Sequence, residues 1–129
     1  PVTAPRREAE ARGRWAEWLA MAWLSCKGYR LLEHRARTAA GEIDLVATRG
    51  EYLVFVEVKA RRTLAAALES FGERQRRRII RAASLWRARH PGFERLHMRY
   101  DLFLVAPRRL PQHCRAAWIP EGREALDLL

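Results

Sequence analysis

An α/β domain, a mixed β-sheet with helices packed on it, is the architecture this sequence predicts. Three observations predict it. Residues 41–62, GEIDLVATRGEYLVFVEVKARR, read as two apolar strands around a tight turn. Residues 73–89, ERQRRRIIRAASLWRAR, place Ile79, Ala82, Ala83 and Trp86 on one side of a 3.6-residue period and Arg74, Arg77 and Arg81 on the other. The remaining signals complete the order helix, three strands, helix, strand, short strand, and the 129 residues suit one compact domain spanning 1–129.

Taken in order, residues 1–6 read as a loose tail. Residues 7–26 are rich in Ala, Arg, Glu, Leu and Trp and read as a helix. Its decamer WAEWLAMAWL (15–24) has one charge, Glu17, and is apolar almost all round, which predicts a mostly buried helix. Gly28 is placed to end it. YRLLEHRAR (29–37) reads as a strand, TAAGE (38–42) as a turn, and IDLVAT and YLVFVEVK as the central strands joined near Arg49-Gly50. Residues 63–72 read as either a loop or a short helical turn. His90-Pro91-Gly92 ends the second long helix. MRYDLFLVAP (98–107) is a further strand, RAAWI (115–119) a short edge strand, and 121–129 a last helical turn.

Composition bounds the function. Hydrophobic residues make up 49% of the chain, enough for a core, and the five tryptophans are expected mostly inside it. No run of 18 apolar residues is present, so a membrane span is not expected, and the first residues lack the apolar stretch of a secretory signal. Cys26 and Cys114 lie far apart in sequence, without CxxC, and read as free thiols of a reducing, cytoplasmic setting, with one disulfide as the alternative. The four histidines show no metal-ligand spacing. The net charge of +10 attracts polyanions, nucleic acid first among them. Of the 25 basic residues only Lys27 and Lys59 are lysine, so genome composition or thermal adaptation is a second source of the basicity. The same skew marks Lys59, where a compact amine stands in place of a planar guanidinium.

The central hairpin carries the chemistry. Strand alternation sets Glu42, Asp44 and Val46 on one face, and Leu53, Phe55, Glu57 and Lys59 on one face of the next strand. With Arg49-Gly50 as a two-residue turn, Thr48 meets Glu51, Asp44 meets Phe55, Glu42 meets Glu57, and Asp44 and Glu57 are diagonal neighbours about 7–8 Å apart. Carboxylates clustered among apolar residues lose hydration and repel one another unless a partner compensates. Lys59 is one such partner. A hard divalent cation is another, since Mg²⁺ takes one or two carboxylates together with water and phosphate oxygens. Such a cation polarises a phosphoryl oxygen and activates water, which suits phosphodiester hydrolysis, with Lys59 placed to orient the attacking water or offset charge at phosphorus. The plainer alternative is a surface Glu57–Lys59 ion pair at a strand end, worth about 0–1 kcal/mol.

GEIDLVA followed by LVFVEVKARR resembles the bacterial YraN-like proteins, a family of small uncharacterised proteins assigned to the restriction-endonuclease-like, PD-(D/E)xK nuclease superfamily. AEWLAMAWLSCKGYRLLEHRAR (16–37), RRIIRAASLW (77–86) and RYDLFLV (99–105) extend the resemblance over most of the chain. It implies a restriction-endonuclease-like mixed β-sheet flanked by helices. It also implies that Asp44 and Glu57 hold the metal, that Glu57 and Lys59 form the E-x-K pair, and that Glu17 is the acid many members carry on the first helix, as in Holliday-junction resolvases. Ile43 stands where the motif's name has proline, and Gln75 and Arg76 stand where the family often has lysine. An N-terminal acid favoured by the helix dipole is the other reading of Glu17.

Arg61 and Arg62 follow the E-x-K pair and are candidates to clamp phosphates. Arg74, Arg77 and Arg81 form a stripe suited to tracking a nucleic-acid backbone, and Gln75 is a candidate contact to substrate or metal-bound water; a solvated face is the alternative for each. Asp101, two residues after Arg99, is expected in a structural ion pair. The expectation is therefore a Mg²⁺ (or Mn²⁺) dependent nuclease acting on nucleic acid, DNA rather than RNA. An inactive nucleic-acid-binding module of the same fold and a protein-interaction scaffold are the alternatives. A homodimer would serve a nuclease of this size that cuts both strands.

Overall fold

The computed structural model describes residues 4–118; the expected last turn at 121–129 and the first residues of the expected tail lie outside the described residues. Helix α1 (Ala4–Cys26) leads into β1 (Arg30–Thr38), β2 (Gly41–Arg49) and β3 (Tyr52–Ala60). Helices α2 (Leu64–Glu69) and α3 (Glu73–Arg89) then carry the chain to β4 (His97–Val105) and β5 (Gln112–Trp118). The strands form one sheet in the order β1-β2-β3-β4-β5. Only β3 and β4 are parallel. A parallel pair needs a crossover of a dozen or more residues, and α2 and α3 supply it. This is an α/β architecture, a five-stranded mixed sheet flanked by helices, consistent with a restriction-endonuclease-like fold.

The sheet separates two cores. Val46, Leu53, Phe55, Tyr100, Leu102 and Leu104 face α2 and α3, where they meet Ala67, Ile79, Ala82, Ala83 and Trp86. Leu45, Ala47, Val54, Val56 and Phe103 face α1, where they meet Ala16, Ala20 and Leu24. The helix over 73–89 has the expected bounds and buries the expected face. The ambiguous stretch 63–72 resolves into α2, because the Thr63 hydroxyl accepts the Ala66 amide at 3.0 Å and caps it.

Helix α1 departs from expectation. It begins at Ala4 and is not buried all round. Ala16, Ala20 and Leu24, spaced by four, bring one stripe against the sheet, while Trp15 and Trp18 are 64% and 65% exposed. The small Ala side chains let the helix backbone approach, and nothing covers the far side among the described residues. The tryptophans therefore divide. Trp86 and Trp118 are core, Trp23 is half-buried, and Trp15 and Trp18 are surface. Cys26 and Cys114 are free thiols, and no described helix is long and apolar enough to cross a membrane.

The hairpin register also differs from expectation. Arg49 pairs with Tyr52 and Thr48 with Leu53, so Gly50-Glu51, and not Arg49-Gly50, makes the turn. Gly50 takes φ 57°, a left-handed value that a glycine at the first turn position accepts without steric cost. The displacement is two residues. Because strand side chains alternate with period two, β3 keeps its expected faces, with Phe55 and Glu57 on the α3 side.

Candidate active site

The paired ladder between β2 and β3 ends at Leu45↔Val56. Carried one step further, that register would set Asp44 directly opposite Glu57, not diagonal to it. Here the regular alternation of β2 fails. Leu45 lies in the α1-side core, yet Ile43, two residues away, lies in the α3-side core with Val46. Asp44 stands at that reversal, so the expected common face for Glu42, Asp44 and Val46 does not form. The neighbouring strand reverses at the same level: His34 pairs with Leu45, Ala36 pairs with Ile43, and Arg35 between them adopts φ 55°. At this distortion the Asp44 carboxylate takes the place of a ladder carbonyl. Its Oδ2 accepts the Val58 amide at 2.8 Å, between the two motif residues Glu57 and Lys59.

This geometry brings Asp44 close enough to Glu57 for the two carboxyl groups to interact. Burial, and then the Glu57 charge, push the Asp44 carboxyl up to about 8, against the opposing pull of the Val58 amide. Glu57 is buried at 5% exposure. Its Oε2 meets Lys59 Nζ at 3.4 Å and Arg78 Nη2 at 4.0 Å, while its Oε1 is buried with no hydrogen-bond partner. The plainer alternative, a solvated surface pair, does not describe these residues: both partners are largely shielded, with side-chain exposures of 13% for Lys59 and 7% for Glu57.

Glu17 reaches the same region from α1, close enough for its charge to add to the rise at Asp44. Its own oxygens are engaged. His34 Nε2 lies 2.6 Å from Oε1, and Arg35 donates to both oxygens at 3.0 and 3.5 Å. Glu17 therefore does not join Asp44 and Glu57 in a single donor group, and among the described residues no three His, Cys, Asp or Glu side chains form one. Glu17 and Lys59 also line a cavity of about 300 Å³ between α1 and the end of β3, together with Arg12, Gly13, Val58 and Arg61, whereas Asp44 and Glu57 do not line it.

The basic residues divide. Arg61 lines this cavity, with Nη1 donating to its neighbour's carbonyl at Ala60, and Arg62 is exposed beside it. Arg74, Arg77 and Arg81 are exposed on α3, Arg77 pairing with Glu73 at 3.4 Å. Gln75 is half-buried, and its Oε1 is buried without a hydrogen-bond partner.

Arg78 escaped sequence reasoning. It donates to the Glu42 carbonyl at 3.0 Å and approaches Glu57. Its signal was present, because Arg78 precedes the buried Ala82 by four residues and so turns toward the sheet. Gly41 makes room for it: at φ 125°, a Cβ there would sit 2.5 Å from Arg78 Nη1. His34 and His113 were also missed, because each serves a carboxylate distant in sequence and neither belongs to a metal-ligand pattern.

A family model described as uncharacterised protein family UPF0102 matches residues 16–105. The chain belongs to UPF0102. A UPF0102 protein of Maricaulis maris is 72% identical over 99% of this chain and 100% of its own length. One of Mesorhizobium japonicum is 50% identical over 90% and 93%. One of Paramagnetospirillum magneticum is 46% identical over 92% and 95%. The matched UPF0102 segment contains Glu17, Asp44, Glu57, Lys59, Arg78 and Asp101.

Proposed function

We propose that this UPF0102 protein is a divalent-metal-dependent nuclease that hydrolyses phosphodiester bonds in nucleic acid, with DNA the favoured substrate. One observation carries the reading: a half-buried carboxylate, Asp44, and a buried one, Glu57, stand close enough to raise the Asp44 pKa, with an ammonium 3.4 Å from Glu57. Among the described residues no basic side chain lies within ion-pair distance of Asp44, and Glu57 Oε1 lacks a partner. A pair that cannot carry two charges without help is the donor set a hard cation relieves. Mg²⁺ or Mn²⁺ fits, because one or two protein carboxylates suffice for it, whereas a closed zinc site needs four ligands. Asp44 and Glu57 would hold it. When bound, such a cation polarises a phosphoryl oxygen and lowers the pKa of a bound water.

The chain's own residues supply the rest. Asp44 must lose its proton to act as a ligand, and the Val58 amide holds its carboxylate in place. Lys59 orients the attacking water, or offsets charge gathering on the phosphoryl oxygens as the bond from phosphorus to the leaving oxygen breaks. Arg12 and Arg61 line the cavity where a phosphate would enter, and Glu17, locked by His34 and Arg35, shapes its wall. Arg62, Arg74, Arg77 and Arg81 offer backbone contacts, and Gln75 contacts substrate or water. The net charge of +10 supports nucleic acid as the partner.

The same charge also favours a second reading, a nucleic-acid-binding module without chemistry. A panel of duplex, single-stranded and branched DNA and RNA, with Mg²⁺ and Mn²⁺, separates the two. Cleavage by the wild type that is lost in Lys59→Ala with binding retained supports the nuclease. Salt-sensitive binding with no cleavage under any metal supports the module.

A further inference from the structure

A second cationic cavity lies at the other end of the hairpin. It measures about 450 Å³ and is lined by Lys27, Tyr29, Arg49, His113 and Arg115. Along β2, Arg49 is five residues from Asp44, about 17 Å at strand rise, so this cavity is separate from the acidic centre. Lys27 follows α1 directly, Arg49 ends β2 and Arg115 lies in β5. All three are exposed, and among the described residues none is paired with a carboxylate. Three like charges brought to one concavity repel each other, an arrangement an anion would relieve.

The floor of the cavity is rigid. Asp101 is fully buried and accepts four hydrogen bonds from three residues: Arg99 Nε and Nη2 at 2.9 and 2.8 Å, His113 Nε2 at 2.7 Å and the Ala116 amide at 3.0 Å. The remaining reach of Arg99 Nη2 goes to the Tyr29 hydroxyl. Two guanidinium groups approach the Tyr29 ring, Arg99 at 5.6 Å and Arg49 at 5.4 Å, and the ring stands edge-on to His113. The network fixes Tyr29 and His113 as a preformed surface among the three exposed cations, which lowers the ordering cost of binding.

We propose that this cavity binds a phosphate group, supplied either by a nucleic-acid backbone or by a free phosphate compound. Arginine and lysine together favour phosphate, since the planar fork takes two oxygens and the ammonium adds a point charge. The proposal does not depend on the acidic centre and holds even if that centre cleaves nothing.

The test uses the full chain in chelator, without divalent metal. Inorganic phosphate and pyrophosphate are titrated by calorimetry, and the His113 and Tyr29 ring resonances are followed by NMR. Saturable binding that moves both rings is expected, weakened at least tenfold in Arg49→Ser/Arg115→Ser and several-fold in Arg115→Ser alone. The charge-matched control Arg89→Ser/Arg109→Ser, both exposed elsewhere, should bind as the wild type does. Competition then assigns the source. Displacement of pyrophosphate by a short oligonucleotide supports a backbone phosphate, and pyrophosphate binding that the oligonucleotide leaves untouched supports a free phosphate compound. No saturable binding of either anion, or an equal loss in the control variant, overturns the proposal.

Discussion

Asp44 Oδ2 accepts the backbone amide of Val58 at 2.8 Å, so the acid of one strand is fastened to the residue that separates Glu57 from Lys59 on the next. The bond ties the motif together through the main chain. Replacing the side chain therefore alters a ligand and also the spacing of the other two groups.

The first prediction concerns pH. The Asp44 carboxyl is raised from 3.8 to about 8 in the folded protein. Between those values the folded chain holds a proton that the unfolded chain has released. The stabilising contribution is full below about 3.8 and is lost as pH rises through about 8. In chelator, Tm should decline between pH 5 and pH 9, and Asp44→Asn should remove that component. Added Mg²⁺ should stabilise the wild type more at pH 8 than at pH 6, because it competes with the proton. Identical Tm profiles for the wild type and Asp44→Asn would count against the assignment.

Lys59 gives the second. Lys59→Ala should lower cleavage by roughly 10²–10⁴-fold, the range for loss of a positioned acid-base or electrostatic group. Nucleic-acid affinity should change little, since one charge of many is lost. Single-turnover rates and binding isotherms read the two effects separately.

Gly41 and Arg78 give the third. Gly41→Ala places a methyl 2.5 Å from Arg78 Nη1 at a φ of 125°. A non-glycine residue in sparsely populated backbone space costs about 1–3 kcal/mol, and the displaced guanidinium leaves the Glu42 carbonyl and Glu57. Denaturant unfolding should show that loss, and cleavage should fall with it. Arg78→Ala should lower cleavage with a smaller change in stability, because it leaves the Gly41 backbone unstrained.

Asp101 gives the fourth. Burial alone would raise its pKa, but His113, Arg99 and the Ala116 amide outweigh burial and hold it below the usual carboxylate range. Its stabilising contribution is present above about 3.8 and is lost as pH falls through the lower folded value. Asp101→Asn leaves Arg99 buried without its counter-charge and should cost about 3–5 kcal/mol in urea unfolding.

The tryptophans give the fifth. Trp86 is 3% exposed and its indole donates to Glu33 at 2.8 Å. Trp86→Ala should cost about 3–5 kcal/mol, while Trp15→Ala and Trp18→Ala should stay within about 0.5 kcal/mol. Thermal melts of the three variants make the comparison.

Periodicity carried the parts of the fold that depend on local pattern. The helix at 73–89 was legible because its apolar residues recur at 3.6, and β3 because Leu53 and Phe55 alternate with Val54 and Val56 into two different cores. Glu57 kept its expected face despite a turn placed one residue early, since the resulting two-residue displacement of register preserves face, whereas Asp44 meets it at a reversal of β2. The Arg99–Asp101 pair was legible because two residues on one strand share a side.

Other features depend on partners far along the chain. The reversal at Asp44 and Arg35 arises where β1 and β2 distort together, and no local pattern in either strand records it. The surface position of Trp15 and Trp18 depends on α1 having a sheet on one side only. Glu17 is held by His34 and Arg35, and Tyr29 by Arg99, across separations that sequence spacing does not encode. The sequence by itself determined which residues are acidic, apolar or basic and their local period. Tertiary structure alone decided which carboxylates stand close together and which cations share a cavity, because charge interactions follow distance in space and not distance along the chain.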